Sequence, residues 1–281
     1  MQTFQTPQPV SVRLSLGAVV ANVRITATDR SDTTVDVRPV DASSKADLKV
    51  ADQTEIDYAD GRLTVRGPRL GTLFGRTGGV DVDLALPTGS QLHGDIGMGE
   101  VEAEGALGEC RIKTGYGEIR LDRTGALNVT SGSGDVTVEH AEGDVEIHAS
   151  NGAVNVRHID GPATVKNSNG LTWIGEVTGE LRVNGANGSI AVDQAHAGVA
   201  AKTANGNVRI GEVARGVVTV ETAAGSLEVG IRTGTSAWLE LNTTAGRVRN
   251  ELDASSGPAE GAEMVEVKAR THIGDIVVRR A

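Results

Sequence analysis

The chain has 281 residues and a formal net charge of −10 at pH 7, so its electrostatic field repels phosphate backbones and we expect no nucleic-acid partner. The 37 glycines stand against only 7 prolines, which favours an ordered chain with many turns over a disordered one. With two residues each of Phe, Tyr and Trp, the core is left to Val, Ile, Leu and Ala, a composition typical of an all-β protein.

The amino-terminal residues predict neither export nor membrane insertion. Residues 1–17 lack the basic start and the apolar run of a signal peptide. No stretch of the chain approaches the roughly 20 consecutive apolar residues of a membrane span. We therefore expect a cytoplasmic protein that does not insert into membranes.

Residues 1–90 contain alternating apolar and polar segments without a regular repeat, and these predict strands. The segment SSKADLKVA, residues 43–51, predicts a short helix within this region. Asp60 and Gly61, between two alternating segments, predict a hairpin turn.

From residue 91 onward the sequence repeats with a period close to 18 residues. Each period contains two short alternating phrases that start at a glycine, for example at Gly152 and Gly161, so each period predicts two short strands. Apolar residues two and four positions after the glycine, such as Val154 and Val156, point to one side of their strand. The polar residues between them point to the other side.

Asparagines that recur at this period favour a parallel stack over an antiparallel meander. Amides placed one above another can bond to each other in a ladder, and four of them are 18 residues apart: Asn151, Asn169, Asn187 and Asn205. We therefore predict an all-β fold, a parallel β-solenoid with about 18 residues and two short strands per coil, over residues 91–281. Residues 1–90 are expected to form an irregular β cap at its amino-terminal end, in one continuous domain.

The carboxyl terminus supplies the last predicted coil. The alternating segments within residues 264–280 follow a loop-like stretch of small and polar residues. This coil is expected to end the stack, with Arg279 and Arg280 protecting the last strand edge.

Several segments resemble a known family. They are PVSVRLSLGAVVANVRI (9–25), DGRLTVRGP (60–68) and VDVDLALPTGSQL (80–92), followed by the repeats. Together they are similar to the bacterial β-strand-repeat proteins of unknown function that are often labelled putative adhesins. The resemblance covers nearly the whole chain. It implies a β-solenoid fold and carries over no catalytic residues.

The repeats carry no recognisable catalytic constellation. Stacked outward acids at Glu100, Glu118 and Asp135 favour a solvated charged face, and no cofactor is expected. We predict a non-enzymatic scaffold or adhesin-like protein that presents flat repeat faces to a protein partner or to another copy of itself. Trp173 and Trp238 occupy outward positions and are the candidate binding residues. The alternative is a carbohydrate-binding or carbohydrate-active solenoid that uses these tryptophans and the outward acids.

A metal site is the other hypothesis that the spacing allows. His140 and His158 are one period apart and Glu176 continues the series, so two imidazoles and a carboxylate would meet at strand spacing and could hold a transition metal. A solvent-exposed corner without metal is the favoured interpretation. Cys110, the single cysteine, falls in an inward position and is predicted to be a buried apolar side chain.

Overall fold

The computed structural model describes residues 1–68, 78–252 and 263–281. Contacts divide the chain into two compact units, Met1–Glu142 and Gly143–Ala281. Nearly all the regular structure is strand, as predicted for an all-β fold. Within the described ranges there is one short helix, and no helix has the length and apolar character needed to cross a membrane.

The first unit contains parallel coils and an antiparallel region. Strand β2 pairs in parallel with β5, β6, β7 and β8, and from β7 to β12 each strand pairs in parallel with the next but one. Antiparallel pairs among the described residues of this unit, β1 with β3, β3 with β6 and β4 with β5, lie within the first 90 residues. The elements are β1 (Gln2–Gln5), β2 (Ser11–Thr28), β3 (Asp32–Pro39), α1 (Lys45–Gln53), β4 (Glu55–Ala59), β5 (Arg62–Arg66), β6 (Gly79–Pro87), β7 (Gln91–Met98), β8 (Val101–Ala106), β9 (Cys110–Tyr116), β10 (Ile119–Thr124), β11 (Leu127–Ser133) and β12 (Val136–Glu142).

Local predictions in the first unit are confirmed. Helix α1 follows Ser44, whose hydroxyl oxygen accepts a hydrogen bond from the backbone N–H of Asp47 and so caps the helix. Asp60 and Gly61 have φ angles of 50° and 73° and join the antiparallel strands β4 and β5. Cys110 is fully buried, and this burial raises the pKa of its thiol to about 12, so the residue is an unreactive part of the core.

The second unit is a stack of parallel coils with two strands in each coil. Val145 pairs with Ala163, and Ala163 with Leu181, so one 18-residue period forms one coil and the predicted parallel β-solenoid is confirmed. The strands are β13 (Val145–Asn151), β14 (Val154–Asp160), β15 (Ala163–Asn169), β16 (Thr172–Val177), β17 (Leu181–Asn187), β18 (Ile190–Ala195), β19 (Val199–Asn205), β20 (Val208–Val213), β21 (Gly216–Ala224), β22 (Leu227–Ile231), β23 (Ser236–Ala245), β24 (Val248–Asn250), β25 (Met264–Ile273) and β26 (Ile276–Arg280).

The last two coils are stacked in an order that differs from their order along the chain. Sheet A of this unit runs β13-β15-β17-β19-β21-β25-β23. Sheet B runs β14-β16-β18-β20-β22-β26-β24. The coil formed by β25 and β26 therefore lies between the coil of β21 and β22 and the coil of β23 and β24. The expectation that it ends the stack is wrong.

Arg279 and Arg280 consequently do not protect a terminal edge. Arg279 Nε donates a hydrogen bond of 2.9 Å to Glu228 on β22. Arg280 Nη1 donates to the backbone carbonyl oxygens of Arg232 and Thr235, at 3.1 and 2.8 Å. The bond of Arg279 attaches the inserted coil to β22, and the bonds of Arg280 attach it to the segment that connects β22 with β23.

The interior of the second unit is aliphatic, and its corners are made by glycine. Val183, Val192 and Ile210 are fully buried, and each such side chain contributes about 1.5–3 kcal/mol by leaving water. At the corner between β17 and β18, Gly188 has a φ of 153°. A Cβ there would lie 2.0 Å from the carbonyl oxygen of Gly170, so stacking leaves no space for a side chain.

Candidate functional site

The outward face of sheet A carries an exposed apolar patch on three adjacent strands. Val217 on β21, Met264 on β25 and Trp238 on β23 are 47%, 58% and 54% exposed. The strand register places Val217 and Trp238 on either side of Glu266, and Met264 precedes Glu266 by two residues on the same face. These three apolar residues are called the Trp238 patch.

Charged side chains border the Trp238 patch, and one of them, Glu266, lies between Val217 and Trp238. Glu266 lies 2.8 Å from Lys268 Nζ. Arg215 and Glu263, which adjoin the patch along β21 and β25, approach within 3.9 Å. Trp and Met are residue types enriched in the centres of protein interfaces, and charged residues are more common at their rims.

Trp173 lies on the other sheet in a different environment. It is a partly buried outward residue of β16, and its indole N–H donates a hydrogen bond of 3.1 Å to Asp193. Its ring reaches over Gly175, where an added Cβ would lie 3.3 Å from the Trp173 Cη2 atom. The two candidate tryptophans therefore lie on sheets B and A and do not form a single site.

The asparagines form a hydrogen-bonded ladder at one corner of the second unit. Each side-chain amide donates to the side-chain oxygen of the asparagine one coil before it, at 3.1 Å for Asn169 to Asn151, 3.0 Å for Asn187 to Asn169 and 2.9 Å for Asn205 to Asn187. On the next coil Ala224 takes the equivalent position, so the ladder stops there. Its role is structural, since these amides bond to each other.

At another corner, Glu176 lies between two histidines. His158 and Glu176 are partners in the register of β14 and β16, and His158 Nδ1 lies 3.2 Å from Glu176 Oε2. Glu176 Oε1 lies 2.7 Å from His196 Nε2, and His158 Nε2 lies 3.0 Å from Asp160. Carboxylates and protonated imidazoles that alternate in this way compensate each other's charge, so the cluster is stable without a further charged group.

His140 belongs to β12 of the first unit, where its Nε2 atom lies 3.9 Å from Glu142. The metal site proposed for His140, His158 and Glu176 stays a prediction. His196, which the spacing argument missed, is the additional imidazole that faces Glu176. It was missed because it is 20 residues, and not 18, beyond Glu176.

The histidine contacts predict how stability depends on pH. The hydrogen bond from His196, followed by the charge of His158, holds the pKa of Glu176 below its ordinary value of 4.5. Because the folded-state pKa is lowered, the stabilisation is fully present above about pH 4.5 and is lost as the pH falls through the folded-state value. The carboxylate is 38% exposed, so solvent screening limits the effect to about 0.5 kcal/mol.

We therefore expect Glu176→Gln to flatten the loss of stability between pH 5 and pH 3. The free energy of unfolding is measured by urea denaturation across this range. Glu180→Gln is the matched control, because Glu180 is exposed and has no ion pair with another described residue. Identical pH profiles for Glu176→Gln and the wild type would contradict the expectation.

Two residues of the Trp238 patch were not predicted from the sequence, although the sequence pattern marks them. Val217 and Met264 are apolar residues at positions where the alternation points the side chain outward. An apolar residue in the polar phase of a strand is the pattern that singled out both tryptophans. Because β25 lies between β21 and β23, Met264 has Val217 and Trp238 on the strands at its two sides.

The chain was compared with protein families, curated proteins and solved structures, and the family comparison agrees with the fold. The sequence matches the family model described as Toastrack DUF4097 over residues 13–279, so the resemblance to bacterial β-strand-repeat proteins is confirmed. A "putative cell adhesion protein" from Clostridium sporogenes is 12% identical with a TM-score of 0.22, over 100% of this chain and 98% of that one. A "putative adhesin" from Bacteroides fragilis is 8% identical with a TM-score of 0.35, over 99% and 95%. No curated protein matches.

Proposed function

Because the chain belongs to the Toastrack DUF4097 family and folds as a parallel β-solenoid, we propose that it is a non-enzymatic, adhesin-like scaffold that binds a protein partner through sheet A. The observation that carries this proposal is the Trp238 patch, in which more than half of the Trp238 side chain meets solvent. A large aromatic group that is exposed beside other apolar residues is stabilised when a partner covers it.

The architecture of the second unit supports a scaffold. The outward positions of sheet A are held by ladders of parallel strands with a fully buried aliphatic core, so the face is rigid before binding. A preorganised surface loses little conformational entropy when it associates. Trp238 would supply the anchor and the surrounding charges the rim of such an interface.

We expect a photo-crosslinking amino acid at Met264 to form one discrete adduct with another polypeptide in cells of the source organism. Trp238→Ala should remove this adduct. Replacing a tryptophan at the centre of an interface by alanine costs about 2 kcal/mol or more of binding free energy, which weakens binding by about thirtyfold. The measurement is adduct yield and the mass of the captured protein.

Two controls accompany this crosslinking experiment. Leu171→Ala removes a side chain that is 47% exposed elsewhere in the second unit and should leave the adduct intact. A crosslinker at Tyr116, which is 64% exposed in the first unit, should not capture the same protein. The proposal fails if both crosslinker positions give the same adducts, and an adduct consisting of two copies of this chain would identify self-association instead.

A second candidate function, carbohydrate binding, is favoured by Trp173. Its ring is held beside Gly175 and its N–H is satisfied by Asp193, so a flat apolar group lies next to a carboxylate on sheet B. Binding of the protein to a glycan array that is lost in Trp173→Ala and retained in Trp238→Ala would favour this function over the scaffold.

A further inference from the structure

Sheet A carries a row of outward residues that runs across five adjacent strands beside a groove. The row is Lys166, Asn184, Lys202, Glu221 and Arg270, aligned by the register of β15, β17, β19, β21 and β25. Three of its five members are cations, although the chain as a whole has a net charge of −10. With Glu221 as its one anion, the row has a formal charge of +2, opposite in sign to that of the chain.

The row includes cations without a side-chain partner among the described residues. Lys202 Nζ lies 3.1 Å from Glu221. Both side chains of this pair are more than 40% exposed, so the pair is weak and Lys202 stays accessible to a ligand. The exposed side chains of Lys166 and Arg270 make no hydrogen bond or ion pair with another described residue. An unpaired guanidinium on a rigid strand is a ready donor for a carboxylate of a ligand.

A groove of about 280 Å³ adjoins this row. Its lining includes Lys202, Glu221, Arg270 and His272. Ala223, at the neighbouring outward position of β21, also lines the groove, and its side chain is much smaller than those of the row. An extended chain can lie in such a groove.

We infer that this groove, with the cations Lys166, Lys202 and Arg270, binds an extended acidic segment of the protein partner. Successive cations of the row are two strands apart, a separation of roughly 10 Å. Three residues of a segment in the extended polyproline II conformation span about 9 Å and complete one turn, so acids at every third position lie on one side and would meet the three cations. The inference rests on the proposed function, because the Trp238 patch lies on the same outward face.

The test uses a fluorescein-labelled peptide with glutamates at its first, fourth and seventh positions, titrated with the full chain and followed by fluorescence anisotropy. The affinity should fall about fivefold in Arg270→Gln and about tenfold in the double variant that carries both Lys166→Gln and Arg270→Gln. Each exposed ion pair between the row and the peptide contributes up to about fivefold in affinity. Raising the salt concentration should weaken binding further. Arg270→Lys, which keeps the charge, should retain most of the binding.

Arg209→Gln is the matched control, because Arg209 is an exposed arginine on sheet B of the same unit. It should change the affinity by less than twofold. Equal losses in Arg209→Gln and Arg270→Gln would overturn the inference, since they would show a response to net charge alone. Equal binding of a peptide with glutamine in place of glutamate would also overturn it.

An oligogalacturonate of matched charge distinguishes the source of the carboxylates. Binding of this acidic sugar without binding of the peptide would overturn the inference of a protein ligand. A Met264 crosslink that depends on Trp238, together with no peptide binding, would leave the proposed scaffold function standing and refute the acidic segment. The two proposals therefore fail by different results.

Discussion

Ending the chain after Glu251 is expected to lower the amide hydrogen-exchange protection factors of β23 by at least a hundredfold. Strand β23 pairs among the described residues only with β25, and β24 only with β26. Without the inserted coil, both strands lose their ladder bonds and their contact with the core. Short strands without partners are not stable in water.

Hydrogen exchange measured by mass spectrometry on peptides from residues 236–245 checks this expectation. Stacking in chain order predicts the opposite result, because β23 would then rest on β21 and stay protected after truncation. Val267→Asp in the full-length chain is the second variant, since Val267 is fully buried in β25 and a carboxylate there is costly. Peptides from β15, several coils away, should keep their protection in both variants.

Gly188→Ala is expected to destabilise the second unit by about 3 kcal/mol, from the strain of positive φ in an L-residue and from overpacking. The φ of Gly188 is 153°, and the added Cβ would lie 2.0 Å from the backbone oxygen of Gly170. The clash is with backbone, so no side-chain rotation can relieve it. The stacked coils would have to separate locally, which weakens the ladder on both sides.

Gly234→Ala separates these two causes. Gly234 also has a positive φ, 86°, but an added Cβ meets nothing within 4 Å, so about 1 kcal/mol of backbone strain is expected. The free energy of unfolding from urea denaturation is compared for both variants. If Gly188→Ala lowers the free energy of unfolding by no more than Gly234→Ala does, close stacking of the corners does not explain the need for glycine at position 188.

Much of the second unit could be predicted because its information is local and repeated. The alternation around Val154 and Val156 assigns the inward face, and the 18-residue recurrence of Asn169 and Asn187 assigns the neighbour in the stack. Each repeat states the same rule, so one irregular repeat does not obscure it. The helix near Ser44 was predictable for a similar reason, since capping acts over one turn of chain.

The candidate site could be predicted only in part. The alternation of side chains along the strand placed Trp238 on an outward face. Its distances to Met264 and Val217 depend on which strands are neighbours. Arg270 carries no local signal, because a cation at an outward position is ordinary in every coil. Its significance comes from the row formed with Lys166 and Lys202, and from the absence of a described partner for its side chain.

By itself, the sequence determined the all-β class, the period of the coil, the inward residues and the corners, because these depend on alternation and on glycine within a few residues. Only the tertiary structure decided that the coil of β25 and β26 lies between two earlier coils. The repeats offer similar strand edges and similar Val and Ile side chains, so pairing in chain order and pairing after insertion satisfy the same local pattern. The choice depends on the summed packing of whole coils, and that choice places Met264 and Arg270 of β25 beside Val217 and Glu221 of β21.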